Sequence, residues 1–229
     1  MERERIIEQT EDGSRTLYVP ALNEHYHSTK GACTESRHIF VAMGLDHSDA
    51  RCPHILEVGF GTGLNALLSM ERCTALGRQV HYTGVERYPL TWEEVEPLGY
   101  SEHPLFRRLH EAPWETGVAL TPCFTLHKME ADLTDSQTWS RLLAGGDERG
   151  DGGGYDVVYM DAFAPEKQPE MWSEEMFRRL YACLNPGGLL TTYCAKGCVR
   201  RLMQSVGFRT ERLPGPPGGK REMLRGRKG

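Results

Sequence analysis

The sequence predicts a Rossmann-like α/β fold, with a mostly parallel sheet of seven strands, helices on both faces and a β extension at the N-terminus. Three observations support this prediction: strand-like apolar runs alternate with helical stretches, a glycine-rich turn follows an early run, and acidic residues stand where several runs end. Such alternation is typical of parallel sheets covered by helices. The length of 229 residues suits one α/β domain of full size.

The N-terminal segment has a different pattern from the rest of the chain. Two strands are predicted around the turn Asp12-Gly13, and the second of them is Arg15–Val19. Residues 1–30 are therefore predicted to form a β extension of a main domain over 31–229. Apolar positions at helical spacing predict a helix over 31–45 that leads into the main sheet.

The main sheet is predicted from apolar or β-rich runs. They are residues 55–57, 80–85, 124–127, 155–160, 189–193, 208–213 and 221–225. Helices are predicted to begin at residue 64 and to span 173–184 and 196–206. The stretch 144–154, rich in Gly and Asp, is predicted to be a surface loop within the domain.

The most informative motif is the glycine-rich turn at residues 57–63, Glu-Val-Gly-Phe-Gly-Thr-Gly. Glycines at a strand-to-helix turn let backbone N–H groups approach a bound nucleotide, because no Cβ intervenes and a positive φ costs little. A dinucleotide fingerprint requires a further glycine where Leu64 stands. Glycines at alternate positions after an acidic residue are instead typical of proteins that use S-adenosyl-L-methionine (SAM). An ordinary strand-to-helix turn is the alternative.

Acidic residues stand at the ends of four predicted strands. Ligands of doubly wound sheets bind beyond the carboxyl ends of the strands. Glu86 is placed to accept hydrogen bonds from both ribose hydroxyls, and Asp132 to accept one from the adenine amino group. For each carboxylate taken alone, a helix N-cap or a solvated loop end is the alternative. The predicted cofactor-binding residues are Glu57, Gly59, Phe60, Gly61, Thr62, Gly63, Asn65, Glu86, Asp132 and Asp161.

A second unusual segment, residues 161–172, begins with Asp at the end of an apolar strand and continues with Phe and Pro. It resembles the acidic-Pro-aromatic loop that amino-group methyltransferases place beside the transferred methyl. Methyl transfer from a sulfonium requires a neutral, aligned amine, so Asp161 would position the amine and accept its proton. Phe163 and Trp172 are candidates for stacking on a base, with packing of the loop as the alternative.

Composition argues against several classes of protein. No apolar run of about eighteen residues is present, and the charged N-terminus precedes no apolar stretch. Neither a membrane span nor a secretory signal is therefore predicted, and a cytoplasmic location is expected. The seven cysteines are odd in number and form no C-x-x-C pair, as expected of reduced thiols. His25 and His27 have no second ligand pair nearby, so no metal is expected.

Charge is distributed unevenly along the chain. From Lys196 to the C-terminus, ten basic residues accompany only Glu211 and Glu222, a local balance of +8. The net charge is −5, so residues 1–195 carry −13. A basic segment on an acidic domain predicts attraction to a polyanion such as nucleic acid. A solvated basic terminus without a partner is the alternative.

Several segments together resemble the tRNA (5-methylaminomethyl-2-thiouridine) methyltransferases, a family that acts on the wobble uridine of tRNA. They are residues 26–28 with 31–32 and 35–36, 57–65, 86–90, 161–172, and 192–201 with 220–223. The resemblance covers nearly the whole chain, and its most particular parts are residues 59–65 and the Asp-Ala-Phe-Ala-Pro loop. It implies methyl transfer from SAM to the primary amine of aminomethyl-uridine, with Asp161 as the catalytic or substrate-orienting acid.

The resemblance also implies a set of substrate-binding residues. Basic residues of the C-terminal segment would contact phosphates of the anticodon stem-loop. An N-terminal group would close over the methionine part of SAM or over the uridine, with helix capping by Ser28 as the alternative. The predicted substrate-binding residues are Tyr26, Ser28, Lys30, Glu35, Phe163, Pro165, Lys167, Trp172, Lys196, Arg200, Arg201, Lys220 and Arg221.

Many members of this family also carry a FAD-dependent oxidase domain. The chain ends soon after Met223, so we expect a methyltransferase without that domain, without flavin and without oxidase activity. Two other functions stay open on the sequence alone. One is SAM-dependent N-methylation of small amines, and the other is a module that binds SAM or RNA without catalysis.

Overall fold

The computed structural model describes residues 4–147 and 153–229. Its N-terminal part is an antiparallel sheet of β1 (Ile6–Gln9), β2 (Arg15–Val19) and β3 (Glu24–His25). The predicted turn between the first two strands is present. The Asp12 carboxylate stabilises it by accepting a hydrogen bond from the Ser14 N–H at 3.0 Å. The proposed domain boundary at residue 30 stays a prediction.

The helix predicted over 31–45 is interrupted. An α-helical turn, α1 (Ala32–Ser36), continues as a π-helical turn over Arg37–Ala42 and is followed by a 3₁₀ turn at Leu45–His47. The helix widens because the Met43 N–H donates to the carbonyl of His38, five residues back, at 3.0 Å.

In the described residues the main sheet has eight strands. They are β4 (His54–Val58), β5 (Val80–Glu86), β6 (Gly117–Thr121), β7 (Phe124–Glu130), β8 (Tyr155–Met160), β9 (Leu184–Thr192), β10 (Arg209–Pro214) and β11 (Glu222–Arg227). Their order is β10-β11-β9-β8-β4-β5-β7-β6, and the five strands from β9 to β7 are mutually parallel. The predicted α/β fold with a mostly parallel sheet is confirmed.

The strand beyond the predicted seven is β6. It pairs antiparallel with β7 at the edge of the sheet, with an irregularity between Ala119 and Thr121. Only one of its five residues is fully buried, so no strong apolar run marks it in the sequence. An edge strand of this kind is determined by its partner more than by its own residues.

Helices cover both faces of the sheet. They are α2 (Leu64–Leu76), α3 (Trp92–Val95), α4 (Pro104–Glu111), α5 (Ser136–Asp147), α6 (Glu174–Cys183) and α7 (Gly197–Ser205). One hydrophobic cluster joins α5, α6 and α7 to one face, and another joins α2, α4 and the π-helical turn to the other. The loop predicted over 144–154 is wrong in its first part, since α5 continues to Asp147. Residues 148–152 lie outside the described residues.

The central strand β4 determines where a ligand can bind. All five of its residues are buried, as expected for a parallel strand with both faces covered. The chain leaves β4 for β5 on one side and later returns to β8 on the other. Such a reversal opens a crevice at the carboxyl ends of the strands.

Within residues 4–147 and 153–229, no helix combines the length and apolar character needed to cross a membrane.

Candidate active site

A cavity of about 750 Å³ lies at the carboxyl ends of β4, β5 and β8. The segment after β3 and the hairpin between β10 and β11 contribute further walls. Most of the predicted site residues line it. They are Gly59, Phe60, Gly61, Thr62, Asn65, Glu86, Asp132 and Asp161 of the cofactor set, and Tyr26, Ser28, Glu35, Phe163, Pro165, Lys196, Lys220 and Arg221 of the substrate set.

The glycine-rich turn approaches its neighbours too closely for side chains at two positions. Gly59 has a φ of +87°, and a Cβ there would lie 3.0 Å from the carbonyl oxygen of Asp161. Gly61 has a φ of +49°, and a Cβ there would lie 3.1 Å from the ring of Tyr26. Only glycine therefore permits both this backbone and an open cradle for a ligand. Gly63 does not line the cavity but caps α2.

Phe60 holds the turn in place rather than closing over the cavity. Its side chain is buried, and a Cβ on Gly84 of β5 would lie only 2.4 Å from the ring. Its backbone N–H and that of Gly59 both donate to the carbonyl of Val85, at 3.1 and 3.0 Å. The absence of a side chain at Gly84 in β5 thus makes room for the Phe60 ring, which anchors the turn.

Two histidines fix Thr62 of the turn. The His27 Nε2 lies 2.6 Å from the Thr62 hydroxyl oxygen, and the His110 Nε2 lies 3.0 Å from the Thr62 carbonyl oxygen. Burial lowers the pKa of each imidazole to about 4, so both are neutral at pH 7. His110 belongs to α4, and no sequence pattern connected it with the glycine turn. His25 contacts Glu8 instead, so the two N-terminal histidines have separate partners.

A chain of hydrogen bonds joins the first strand end to the predicted catalytic acid. The amide Nδ2 of Asn65 donates to Glu57 Oε1 at 2.8 Å and to Asp161 Oδ2 at 2.7 Å. Glu57 is fully buried and does not line the cavity. Direct contact of Glu57 with a ligand is therefore corrected to an indirect role. The Glu57 side chain points beneath the turn, where it accepts the hydrogen bond from Asn65 and so orients the Asn65 amide.

The pKa of Asp161 is raised to about 7. Burial is the largest cause, since it disfavours the charged carboxylate, and the negative charge of Glu35 acts in the same direction. The hydrogen bond from Asn65 and the positive charge of Lys220 lower the pKa. Burial and the charge of Asp161 also raise the pKa of Glu57. A carboxyl group that titrates near neutral pH is suited to accept a proton during a reaction.

The carboxylate of Glu86 is held at the end of β5. It accepts hydrogen bonds from the Gly61 N–H at 3.0 Å and from the Tyr88 N–H at 2.8 Å. Both donors are backbone groups, so they fix the carboxylate at the wall of the cavity while each oxygen keeps further capacity to accept. This geometry is compatible with the predicted contact to two ribose hydroxyls.

Asp132 stabilises a local turn, in line with the loop-end role that the sequence left open as an alternative to ligand binding. Its Oδ1 accepts from the backbone N–H and the hydroxyl of Thr134, at 2.8 and 2.7 Å. Its Oδ2 pairs with Arg87 at 2.9 Å. The carboxylate lines the cavity, yet it also stabilises the turn before α5.

The loop after β8 is held by its own hydrogen bonds. The Phe163 N–H donates to Gln168 Oε1 at 2.9 Å, and the Trp172 indole N–H donates to the Phe163 carbonyl at 2.7 Å. Trp172 is buried beneath the loop and does not line the cavity. Of the two roles left open for Trp172, stacking on a base and packing of the loop, its position supports packing. The Phe163 ring lies at the cavity, edge-on to Tyr26, with 5.1 Å between the ring centroids.

The predicted basic residues divide into two groups. Lys196, Lys220 and Arg221 line the cavity, and Lys196 also pairs with Glu166. The others lie outside it. Arg200 and Arg201 are on α7, Lys30 pairs with Glu11, and Lys167 belongs to the Asp161 loop but does not line the cavity. The lining residues that the sequence did not predict include Arg5, Glu24, Arg87 and Tyr193.

Comparison with known proteins indicates the class of the protein. The family model described as S-adenosyl-L-methionine-dependent methyltransferase matches residues 147–229. With the doubly wound sheet and the glycine cradle, this defines the protein as a SAM-dependent methyltransferase. Within this class, the chain is similar to the methyltransferase domains of the MnmC type. The predicted resemblance and cofactor are thereby confirmed.

The relatives differ from this chain in length. The tRNA 5-methylaminomethyl-2-thiouridine biosynthesis bifunctional protein MnmC of Cupriavidus necator is 34% identical over 90% of this chain and 32% of its own length. The protein of the same name from Pseudomonas aeruginosa is 32% identical, with 90% and 32% covered. The chain thus spans about a third of the curated relatives it matches.

Solved structures confirm the fold. MNMC2 from Aquifex aeolicus superposes with a TM-score of 0.76 and 22% identity, over 98% of this chain and 70% of that chain. A probable spermidine synthase from Corynebacterium glutamicum superposes with a TM-score of 0.54 and 18% identity, over 99% and 78%.

Proposed function

We propose that this protein transfers a methyl group from SAM to the primary amine of 5-aminomethyl-2-thiouridine at the wobble position of tRNA. The observation that carries the proposal is the partly buried Asp161 carboxylate, which lines the cavity and has a pKa of about 7. The similarity to the MnmC proteins, which are named for tRNA 5-methylaminomethyl-2-thiouridine biosynthesis, supports the tRNA substrate. Because the chain spans about a third of those proteins, this activity is a proposal for the chain itself.

The residues at the cavity fit SAM. Side chains at Gly59 and Gly61 would fill the cradle, and Glu86 presents a carboxylate, fixed by backbone N–H groups, at the end of β5. Asn65 and Asp161 lie at the other side of the turn, where polar atoms can meet the methionine part. When bound, the cofactor supplies a methyl group on a positively charged sulfur, which leaves as a neutral thioether.

The acceptor amine requires a group that positions it and removes a proton. Asp161 has both properties, since Asn65 fixes one of its oxygens and its pKa lies near neutral pH. The aliphatic amine arrives mostly protonated, and transfer of one proton from this ammonium to the Asp161 carboxylate leaves a neutral amine whose lone pair is free for attack. Phe163 and Tyr26 provide aromatic surface at the cavity for the uracil ring.

We expect the rate of methyl transfer at saturating SAM to rise with pH up to about 7, because protonated Asp161 cannot accept a proton. Below that value the rate falls about tenfold per pH unit. Replacing Asn65 by alanine removes a hydrogen bond that lowers the Asp161 pKa, so the acid limb moves to higher pH. The pH profile of kcat for both proteins tests this prediction.

A matched control for this measurement is Asn185→Ala. Asn185 also donates its Nδ2 to an aspartate, Asp156 Oδ1 at 2.9 Å, but neither residue lines the cavity. The acid limb of the pH profile of Asn185→Ala should lie at the same pH as that of the unmodified protein. An Asn65→Ala profile without a shift would assign the titration to another group, such as the amine of the substrate.

Affinity for tRNA should fall with salt, because basic residues at the cavity contact phosphates. Each contact to single-stranded RNA contributes a slope of about −0.7 in log affinity against log salt concentration. We expect Arg221→Gln to make the slope less negative by about this amount, as measured by binding titrations from low to high salt. Arg178→Gln is the control, since Arg178 pairs with Glu174 on α6 and does not line the cavity. Equal slopes for all three proteins would contradict the phosphate contact.

The direct test of the proposed function is an assay of the nucleoside product. The purified protein is incubated with SAM and tRNA that carries aminomethyl-uridine, and the digested tRNA is analysed by mass spectrometry. The expected product is methylaminomethyl-uridine, with none formed on tRNA that has an unmodified wobble uridine. If no product forms while calorimetry shows SAM binding, the acceptor is a different amine.

A further inference from the structure

The side chain of Lys220 extends from the hairpin between β10 and β11 into the wall of the cavity. Its ammonium lies 3.9 Å from the centroid of the Tyr193 ring and 3.4 Å from Glu35 Oε2. The Lys220 side chain is 45% exposed, so solvent reaches much of its length. The ammonium of Lys220 therefore lies between an aromatic ring and a carboxylate, at the end of a flexible and partly exposed side chain.

Glu35 is the buried member of this group. The residue is only 8% exposed, lines the cavity, and belongs to α1. Its Oε2 atom is buried and accepts no hydrogen bond from any described residue, although the ammonium of Lys220 lies nearby. A buried carboxylate oxygen without a donor is costly, so this atom has capacity for a better-placed cationic donor.

Tyr193 supplies a fixed aromatic face. Its hydroxyl donates to the carbonyl of Ala162 at 2.8 Å, which holds the ring in one orientation. Ala162 follows Asp161 directly, so the face that carries the ammonium is tied to the loop of the proposed catalytic acid. An ammonium over an aromatic ring is attracted by the negative face of that ring.

We propose that Glu35 and the face of Tyr193 form a subsite for a primary ammonium group, which Lys220 occupies in this structure and the acceptor amine takes over. This inference rests on the proposed function, because it assigns the recognition of the aminomethyl group. An aliphatic amine is mostly protonated at neutral pH, and it therefore arrives as the same chemical group that Lys220 presents.

The exchange has a chemical consequence for the acceptor. The positive charge of Lys220 lowers the pKa of Asp161 and the negative charge of Glu35 raises it, so both groups act on the proposed base. An acceptor ammonium in the place of Lys220 preserves this balance. One N–H proton then passes from the acceptor nitrogen to the Asp161 carboxylate, which leaves a neutral amine and a protonated acid.

The test compares binding of two RNAs in the presence of S-adenosylhomocysteine, which cannot donate a methyl group. One anticodon stem-loop carries 5-aminomethyl-2-thiouridine, and the other carries 2-thiouridine at the same position. The ratio of their dissociation constants isolates the aminomethyl group, because the phosphate contacts are the same in both. We expect the dissociation constant of the unmodified protein for the aminomethyl RNA to be lower than that for the 2-thiouridine RNA by about tenfold or more.

Two substitutions should reduce this ratio towards one. Glu35→Gln removes the charge of the subsite, and Tyr193→Leu removes its aromatic face. Tyr193→Phe keeps the ring and should therefore restore most of the ratio, even though the hydrogen bond to Ala162 is lost. Glu71→Gln is the control, because Glu71 pairs with Arg37 on the helix surface and does not line the cavity. Thermal unfolding of each variant identifies any that fail to fold.

Lys220→Met gives the decisive result. If Lys220 competes with the acceptor for the subsite, its removal raises the ratio, because the acceptor no longer displaces a resident cation. A fall in the ratio, as in Glu35→Gln, would show that Lys220 itself contacts the acceptor and would overturn the proposal. An equal ratio in Glu35→Gln and the unmodified protein would also overturn it.

Two further outcomes can be distinguished from the results expected for Lys220→Met and Glu35→Gln. If Glu35→Gln weakens calorimetric binding of SAM and leaves the RNA ratio unchanged, the subsite holds the α-ammonium of the cofactor, and the assignment to the acceptor is wrong. If the unmodified protein binds both RNAs equally and forms no methylated nucleoside, the proposed function itself fails and the acceptor subsite fails with it.

Discussion

Replacing Asp161 by alanine should lower the rate of methyl transfer to aminomethyl-uridine by about 10²- to 10⁴-fold, the usual contribution of a positioned acid or base. The reason is that Asp161 is a partly buried carboxylate at the cavity, with a pKa of about 7 and one oxygen fixed by Asn65. Single-turnover rates at saturating SAM and tRNA measure the loss. Because substrate is saturating, the comparison reports the chemical step rather than binding.

Asp161→Asn separates proton acceptance from positioning. Asparagine has nearly the same shape as aspartate but cannot accept a proton from the amine. We expect it to lose as much activity as the alanine variant, and calorimetry with SAM should show that the cofactor still binds. An asparagine variant with nearly full activity would mean that the carboxylate positions the amine without acting as the base.

Replacing Gly59 by alanine should weaken SAM binding by about tenfold or more, which corresponds to ~1.4 kcal/mol. Two physical effects add at this position. A φ of +87° costs a side chain about 1–2 kcal/mol, and the new Cβ would lie 3.0 Å from the carbonyl oxygen of Asp161. The turn or the Asp161 loop must therefore move away from the other. Calorimetric titration with SAM measures the effect.

Gly77→Ala is the matched control for this substitution. Gly77 ends α2 with a φ of +62°, and no atom lies within 4 Å of the position of its Cβ. Both variants should lose thermal stability because both place a side chain at a positive φ, and Gly59→Ala should lose more because its Cβ also meets the Asp161 carbonyl. Only Gly59→Ala should lose SAM affinity. Equal affinity in the two variants would show that the cradle tolerates a methyl group.

The fold and the position of the site were predictable because their signals are local. Residues 57–63 combine a strand end with a glycine turn, and Glu86 and Asp161 follow apolar runs directly. In a parallel sheet the carboxyl ends of neighbouring strands meet at one edge, so local patterns are enough to bring these residues together. The edge strand β6 had no such pattern, and its pairing with β7 was not predicted.

The roles of several site residues depended on contacts that no local pattern contains. Glu57 was predicted at the ligand, but its side chain lies beneath the turn and contacts Asn65. Trp172 was a candidate either for stacking on a base or for packing of the loop, and its indole supports the Asp161 loop from below. An alternation of apolar and polar residues predicts that a side chain is near a loop, but not on which side of that loop it packs.

The sequence by itself determined the α/β class, the glycine cradle and the acidic strand ends, because each follows from backbone preferences and from spacing along one segment. Only the tertiary structure decided that His110 fixes Thr62 and that Lys220 reaches Glu35 and Tyr193. These partners are far apart in the chain. Their contacts depend on how helices and loops pack against the sheet, and on the burial that follows from that packing.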